Sequence, residues 1–343
     1  MSRVTTPHPR RRPLTALALA ATAVLTLTAC GGGENSEDHA GAPTKTAEAN
    51  PKGLLTEQDA KKAVDTYEQV NNRANAKQDP ELLSTVEAGQ LYKQSKADFE
   101  QWETWSEKDQ KYYTSSFYYK ERKYLIPAAD SGATWFAVQA VSSADKEKND
   151  ALLIFDKVGS TYKLTMSVYA EEEPIPDIAV DKHGFVTPID PSRKIGALAP
   201  NQLGDAYEDF FETGGKTAGK TFAPTDTSKG SIEVHKEGPS EATKNYATEK
   251  FFAEDAAHPK VYGLKLANGG ALALFPTGHT SELVLKPQYM SAFDLTPSEK
   301  ESVYDSTKRD LITNEFQGQA LAILSPNSKP RVTAIEYRLV DSR

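Results

Sequence analysis

The single cysteine of this 343-residue chain, Cys30, is the residue with the most distinctive chemistry. It lies where an apolar run ends and a glycine-rich stretch begins, directly after Leu27, Thr28 and Ala29. Because the chain has no second cysteine, an internal disulfide is excluded, and the thiol is left for modification or for nucleophilic attack. The residues on either side of Cys30 decide between these two uses.

The residues ahead of Cys30 have the composition of an export signal. Residues 1–13 carry four arginines and no acid, and an uncharged run rich in alanine and leucine extends from Leu14 to Ala29. This run is shorter than the roughly 20 residues that a helix needs to cross the hydrocarbon core of a bilayer. A signal peptide over residues 1–29 therefore fits better than a membrane span.

Leu27 to Cys30 resembles the lipobox of bacterial lipoproteins, in which an apolar residue and two small residues precede an invariant cysteine. The resemblance implies that the signal is cleaved between Ala29 and Cys30 and that the Cys30 sulfur carries acyl chains such as palmitate. Two or three chains hold a protein essentially permanently at a membrane, here at the extracytoplasmic face. The alternative is an ordinary secretory signal in which Cys30 is incidental. Sec and Tat export both remain open.

The charge of the processed chain restricts its partners. Removal of residues 1–29 leaves 36 basic and 48 acidic side chains, a net charge of −12. Such a chain repels the phosphates of nucleic acids and anionic lipid headgroups at long range. We therefore expect no nucleic-acid partner and membrane contact only through the lipid on Cys30.

The segment GGKTAGKT, Gly214–Thr221, satisfies the G-x-x-x-x-G-K-[ST] pattern of a phosphate loop. Such a loop binds phosphate only when it follows a buried strand and opens a helix. Here a helical pattern precedes it and a polar stretch follows, so Gly214 and Gly215 are expected to end a helix. Leu152–Asp156 mimics a Walker B strand but precedes the loop. We expect no nucleotide partner.

The remaining polar motifs predict no catalytic, metal or cofactor site. G-x-S-x-G is absent, and Glu171–Glu173 is expected to be a solvated acidic run. The histidines that follow the leader include no pair at metal-ligand spacing: His39, His183, His235, His258 and His279. We therefore assign no cofactor and no metal, and the ligand-binding residues stay unknown.

An unusual density of aromatic residues lies in the first half of the chain. Two interpretations compete, a stacking platform for sugars or a lined pocket on the one hand and a bulky helix–sheet core on the other. The core is favoured because Trp102 and Trp105 have helical spacing. The residues concerned are Trp102, Trp105, Tyr112, Tyr113, Phe117, Tyr118, Tyr119 and Tyr124.

The elements of the first half follow from caps and hydrophobic periodicity. Residues 30–53 have almost no large apolar side chains, which predicts a lipidated N-terminus and a disordered tether. Three helices are then predicted, from Thr56 through Val70, from Asp79 to Gly89, and through Phe99 and Trp102. Alternating residues predict four strands: Phe117–Ile126, Thr134–Val141, Ala151–Phe155 and Tyr162–Tyr169.

The pattern repeats after a proline-rich connector at residues 174–200, in which only a small hairpin at Asp181–Gly184 is expected. Leu198–Gly215 parallels Leu55–Asn72 as a helix, and a hairpin turned by Asn268 and Gly269 follows. The segment from Ala320 echoes the hairpin from Ala151. We therefore predict an α+β protein of two similar domains, residues 54–173 and 201–343, each with helices on a curved antiparallel sheet.

Two family resemblances accompany this prediction. The first half, with NNRANAKQDPELLSTV after its opening helix, resembles the cone-shaped NTF2-like folds, which implies a helical lid over a curled sheet. The chain, including IPDIAVDKHGFVTPI in the connector, is also similar to a family of actinobacterial lipoproteins with no assigned activity. That resemblance carries over no functional residue except Cys30.

Three functions are consistent with these features. The leading hypothesis is a lipid-anchored, non-enzymatic protein that binds a small apolar ligand or an envelope protein, or acts as a scaffold. One alternative is an enzyme with an acid or base in a pocket of an NTF2-like domain. The other is a solute-binding transport receptor whose lobes close by a hinge.

Overall fold

Alternating apolar residues build two antiparallel sheets, and helices cover them. The computed structural model describes residues 51–343. The predicted signal peptide, the cleavage site at Ala29 and Cys30, and nearly all of the predicted tether lie outside the described residues. The helices are α1 Glu57–Asn75, α2 Pro80–Ser84, α3 Gly89–Glu100, α4 Glu107–Tyr113, α5 Leu203–Glu212, α6 Asp226–Glu237 and α7 Glu299–Ser302.

The strands follow the helices in the first half, as predicted, whereas in the second half the short helix α7 lies between β7 and β8. Those of the first half are β1 Tyr119–Leu125, β2 Trp135–Ser142, β3 Asp150–Val158 and β4 Thr161–Tyr169, which pair in sequence order. Those of the second half are β5 Ala247–Ala253, β6 Tyr262–Lys265, β7 Ala271–Leu285, β8 Leu311–Ser325 and β9 Ser328–Ser342. They pair in the order β5-β7-β8-β9, with β6 also on β7. The α+β class is confirmed.

The two sheets pack face to face through one set of alternating residues. Ala137, Leu152 and Ile154 of the first sheet share a core with Leu272 and Leu321 of the second. Side chains alternate between the faces of a strand, so the residues between these point outward. The result is four layers, helices, sheet, sheet and helices.

The outer faces are covered by the predicted amphipathic helices. Ala60 and Val64 of α1 pack on Phe136 and Phe155 of the first sheet. Tyr207 and the neighbouring aromatics of α5 pack in the same way on the second sheet. Thr56 caps α1 by accepting a hydrogen bond from the Asp59 amide, as the capping-box pattern predicted.

The proline-rich segment 174–200 pairs with both halves of the chain. Val186 pairs with Pro127 of the first half, whereas Ile178 and Pro188 pair with Leu266 and Leu264 of the second half. Residues 51–343 accordingly form one compact unit, and two independent domains are not confirmed. The small hairpin at Asp181–Gly184 is confirmed by the Asp181 amide donating to Phe185 and the Gly184 amide donating to Asp181.

Several predicted boundaries need correction. Gly89 begins helix α3, with a φ of 64°, instead of ending the helix before it. The tether ends earlier than expected, because Gly53 pairs with Ala128 at the edge of the first half. The hairpin turned by Asn268–Gly269 is confirmed, and the segment from Ala320 forms a hairpin as predicted, with Ser325 paired to Ser328. The internal duplication stays a prediction.

Candidate functional site

The phosphate-loop pattern at Gly214–Thr221 lies in a setting unlike that of a nucleotide site. It follows α5 rather than a buried strand and leads into a short 3-10 helix at Ala218–Thr221. Gly214 and Gly215 have φ values of 73° and 76°, a left-handed conformation that terminates a helix at low cost. The prediction that these glycines end the preceding helix is confirmed.

The amide groups of this loop are bound by a carboxylate of the chain itself. Asp209 of α5 accepts from the backbone N–H of Thr217 at 2.9 Å and of Gly219 at 2.8 Å, and from the hydroxyls of Thr213 and Thr217. Burial alone would raise the pKa of Asp209, but these hydrogen bonds outweigh it and lower the pKa. The loop therefore holds an internal anion.

Replacing Asp209 by alanine is expected to lower the free energy of unfolding by about 3 kcal/mol, because the loop loses a charged acceptor shared by several donors. Urea denaturation at pH 7 measures the change. The matched control is Asp205→Ala on the same helix, whose exposed side chain should contribute within about 0.5 kcal/mol. Equal stability of the two variants would show that Asp209 does not hold the loop.

Two residues of the acidic run Glu171–Glu173 make contacts that stabilise the fold. Although exposed, the Glu172 carboxylate accepts from the amides of Asp226 and Thr227 at 2.8 Å and 3.0 Å, at the start of α6. Glu173 pairs with Arg331 at 2.9 Å. The expectation of a wholly solvated run is therefore wrong for these two residues, which stabilise the N-terminus of α6 and connect the segment to β9.

The histidines lie in separate places. His39 is outside the described residues, His183 lies in an exposed turn, and His258 lies in an exposed loop. His235 contacts the carbonyl of Phe211 through Nδ1 at 2.7 Å. His279, on β7, is the one that the fold brings to a second ionisable group.

His279 and Glu208 form a buried pair between β7 and α5. The His279 Nδ1 and Glu208 Oε2 atoms are 3.0 Å apart, and the two side chains are 3% and 1% exposed. The two side chains are not hydrogen-bonded to each other, and neither Glu208 oxygen has a hydrogen-bond donor. Two polar groups are thus buried side by side without a hydrogen bond between them, a costly arrangement in a dry interior.

Aromatic rings enclose the imidazole of this pair. Phe211 and Phe316 stack on it with centroid distances of 4.1 Å and 4.9 Å, and Tyr337 meets it edge-on at 5.6 Å. A histidine so enclosed has the chemistry of a proton acceptor but little room for a substrate. The pair could have been suspected only from the tertiary structure, since its members are 71 residues apart in the chain.

An open cleft begins one helical turn away from the pair. It has a volume of about 390 Å³ and lies between α5, β7 and the loop after β5. Asp205, Glu254 and Asp255 give it an acidic rim, and Thr277 lines its side. Glu208 and His279 are almost fully buried and are not among the residues that line the cleft.

A second buried acid lies under the helices of the first half. Glu87 Oε1 accepts from the Tyr67 hydroxyl at 3.1 Å and from the Asn71 amide at 3.0 Å, while Oε2 has no partner. Burial raises the pKa of Glu87 to about 7, although these donors act in the opposite direction. The carboxyl group is thus close to half protonated at neutral pH.

The aromatic residues of the first half divide into two groups. Phe117, Tyr119 and Tyr124 belong to the core beneath α1, as the core interpretation predicted. Trp102 and Trp105 do not, because each is only partly buried and neither belongs to a core cluster. The core interpretation is therefore wrong for these two tryptophans.

Trp102, Trp105 and Tyr113 form a half-exposed aromatic group where α3 turns into α4. The tryptophan centroids are 5.8 Å apart at an angle of 41°, and Tyr113 meets Trp105 edge-on at 5.1 Å. Phe99, which is 7% exposed, attaches the group to the fold by packing against Tyr113 at 6.1 Å. The rings are thus held rigidly while part of their surface faces solvent.

A charged pair from both halves of the chain borders this aromatic group. Arg338 Nε of β9 lies 3.0 Å from Asp98 Oδ1 of α3. Burial lowers the pKa of Lys300 of α7, on which the charges of Asp98 and Arg338 act in opposite directions. Burial, followed by the charge of Asp98, raises the pKa of Tyr113 well above its usual value. We call these residues, Trp102, Trp105, Tyr113, Asp98, Arg338 and Lys300, the tryptophan recess.

The recess is shallow but polar groups remain available in it. Arg338 is 39% exposed, and its Nη2 atom is 3.7 Å from the Glu336 carboxylate, too long for a hydrogen bond. Burial raises the pKa of Glu336, whose side chain is 34% exposed. The recess therefore combines flat apolar rings with hydrogen-bonding groups.

Glutamines of α3 hold the two sides of the recess together. Gln94 donates to the carbonyls of Gln317 and Glu336, and Gln101 donates to the Tyr304 hydroxyl and the Leu339 carbonyl. Gln90 donates into the same sheet. The sequence analysis did not predict this contact between the glutamines and the second sheet. The spacing of residues 90, 94 and 101 places them on one helix face and could have indicated it.

Two further properties of the described residues complete the site description. In the range 51–343, no group of three or more His, Cys, Asp or Glu side chains is arranged to hold a metal ion. None of the helices in this range has both the length and the apolar character that crossing a bilayer requires.

Comparisons with known proteins identify relatives but no activity. Residues 51–343 match the family model described as a domain of unknown function, DUF8094. The chain is 34% identical over 281 residues to an uncharacterized lipoprotein of Streptomyces coelicolor, an alignment that covers 79% of this chain and 77% of the relative. An uncharacterized lipoprotein of Streptomyces avermitilis is 28% identical over 46% of both chains. No solved structure matches the chain.

Proposed function

Because the chain belongs to the DUF8094 family, we propose that it is a lipid-anchored binding protein of the bacterial cell envelope. Cys30 carries the lipid after cleavage behind Ala29, and the folded part lies on the extracytoplasmic face. The names of the two Streptomyces relatives and the lipobox at Leu27–Cys30 support the anchor. The helices-on-sheet layout of each half supports the NTF2-like comparison.

The observation that carries the binding role is the tryptophan recess. Exposure of tryptophan ring surface to water is unfavourable in free energy, and a ligand that covers the rings removes this cost. Tryptophans are accordingly enriched at binding surfaces. The recess is built from α3 and α4 of one half and from α7 and β9 of the other. The proposed binding surface thus lies where the two halves of the chain join. Its ligand would be a component of the cell envelope, such as another envelope protein.

One observation favours the enzyme alternative. Glu87 has a pKa of about 7 beneath the helices of the first half, a value suited to a general acid or base at neutral pH. Its carboxyl group is 2% exposed, however, and Tyr67 and Asn71 already bond one oxygen. Binding is better supported. A hinged transport receptor is less well supported, because the two sheets share a core.

Replacing Cys30 by serine tests the anchor. Wild-type protein should incorporate labelled palmitate and fractionate with membranes, whereas Cys30→Ser should do neither, because a hydroxyl does not accept the acyl group at this position. Thr28→Ser, which keeps a small residue before the cleavage site, is the control and should label normally. A Cys30→Ser protein that stays in membranes, or an unlabelled wild type, would contradict the proposed anchor.

A further inference from the structure

We propose that the tryptophan recess binds the pyranose rings of an envelope polysaccharide. The proposal rests on the binding role proposed above and names its ligand class.

The first step is the shape and chemistry of the aromatic group. A pyranose ring has a flat C–H face and a rim of hydroxyl groups, so it needs an apolar plane bordered by polar atoms. Trp102 and Trp105 offer two neighbouring planes whose centroids are 5.8 Å apart. Tyr113 contacts both rings, at 6.1 Å and 5.1 Å, and restricts their rotation. Binding would therefore cost little side-chain entropy.

The second step is the polar border. Arg338 uses Nε for Asp98 and Nη1 for the Tyr337 carbonyl, while Nη2 has no partner within hydrogen-bond distance in the contacts described. The exposed part of the guanidinium can donate to a hydroxyl, and the carboxylates of Asp98 and Glu336 can accept from one. Planar groups of both kinds on the elements next to the aromatic rings can pair with the hydroxyl groups of a sugar.

The third step concerns the charges that disfavour lipids as ligands of the recess. Exposed acids flank the recess on the segment that carries the tryptophans, namely Glu103, Glu107 and Asp109. The net negative charge of the chain opposes anionic lipid headgroups at long range, and the buried Asp98 would be costly to place against acyl chains. A polysaccharide has neither disadvantage, since its hydroxyl groups can hydrogen-bond with carboxylates.

The tryptophans supply a direct readout. The chain contains three of them, and the third, Trp135, is 7% exposed in the core between the sheets. Quenching by iodide therefore reports mainly on the recess. Full-length lipoprotein in detergent micelles is titrated with the N-acetylglucosamine tetramer and pelleted with isolated peptidoglycan sacculi. We expect the tetramer to reduce iodide quenching of the tryptophans, and we expect the sacculi to retain the protein in the pellet.

Variants assign the effect to the recess. Trp105→Ala should weaken binding at least tenfold, Trp105→Phe should weaken it less because a ring remains, and Tyr112→Ala should change it less than twofold. Tyr112 is the matched control because it is an aromatic residue of α4 that is 59% exposed and outside the aromatic group. The unfolding midpoint of each variant is measured first, and Trp105→Phe keeps the test valid if the alanine variant does not fold.

The proposal is overturned if wild-type protein binds neither glycan probe, if Trp105→Ala binds as tightly as wild type, or if the recess is protected by lipid vesicles instead of by glycan. These outcomes are distinguishable from failure of the anchor. Palmitate labelling and membrane fractionation of Trp105→Ala should be those of wild type, whatever the glycan result.

Discussion

Replacing His279 by phenylalanine is expected to destabilise the protein by about 3–5 kcal/mol at pH 8. Phenylalanine fills the space among Phe211, Phe316 and Tyr337, so the loss does not arise from a cavity. It arises because Glu208, 1% exposed and without a hydrogen-bond donor, loses its polar neighbour 3.0 Å away and is left beside an apolar ring. Urea denaturation followed by circular dichroism measures the change.

A second substitution identifies the cause. The double variant Glu208→Leu/His279→Phe should regain most of the stability, because an apolar pair needs no compensation in a dry interior. His258→Phe, in an exposed loop, is the control and should change stability by less than about 0.5 kcal/mol.

Two results would contradict this account. If His279→Phe were as stable as wild type at pH 8, another group would compensate Glu208. If the double variant were less stable than His279→Phe, the two side chains would be supporting the fold through separate contacts.

Replacing Glu87 by glutamine is expected to stabilise the protein by about 3 kcal/mol at pH 8 and to have little effect at pH 4. Burial raises the pKa of Glu87 from 4.5 to about 7 in the folded state. Below pH 4.5 the folded and unfolded states both carry the proton, so the group costs nothing. As the pH rises from 4.5 to 7 the folded state holds more protons than the unfolded state, and stability is lost until about pH 7.

Glutamine removes this titration and keeps most of the structure around it. Its Oε1 atom can still accept from Tyr67 and Asn71, and its amide group replaces the Oε2 atom that has no partner. Urea denaturation between pH 4 and 8 should therefore give a smaller slope of stability against pH for Glu87→Gln than for wild type. Glu103→Gln, on the exposed 3-10 helix after α3, should leave the slope unchanged. An unchanged slope in Glu87→Gln would show that Glu87 does not titrate in this range.

Both predictions concern buried ionisable groups that the sequence could not reveal. Glu87 follows a short helix and looks like a solvated turn residue, and His279 lies in a strand pattern without a metal-ligand partner. What buries them is the packing of α1 on the first sheet and of α5 on the second. Burial depends on contacts between segments far apart in sequence, and one sequence carries no record of those contacts.

The same reason explains the outcome for the aromatic residues. Helical spacing correctly indicated that Trp102 and Trp105 share one side of a local helical segment, and their centroids are 5.8 Å apart. It did not indicate whether another element covers that side. In the fold, α3 directs its glutamines at the second sheet, so the turn after it leaves the tryptophans at the edge of the contact. The seam between the halves thus creates the candidate site.

The sequence by itself determined the local features of this protein. Caps, alternation and turn residues specified the start of α1, the strands of the first sheet, the hairpin at Asn268–Gly269 and the glycines that end α5, because each depends on a few neighbouring residues. Only the tertiary structure decided that the two sheets share a core, that Glu208 lies beside His279, and that Asp98 pairs with Arg338 near partly buried tryptophans. Those contacts join residues up to 240 positions apart, and they form only when the whole apolar surface of both sheets is buried at once.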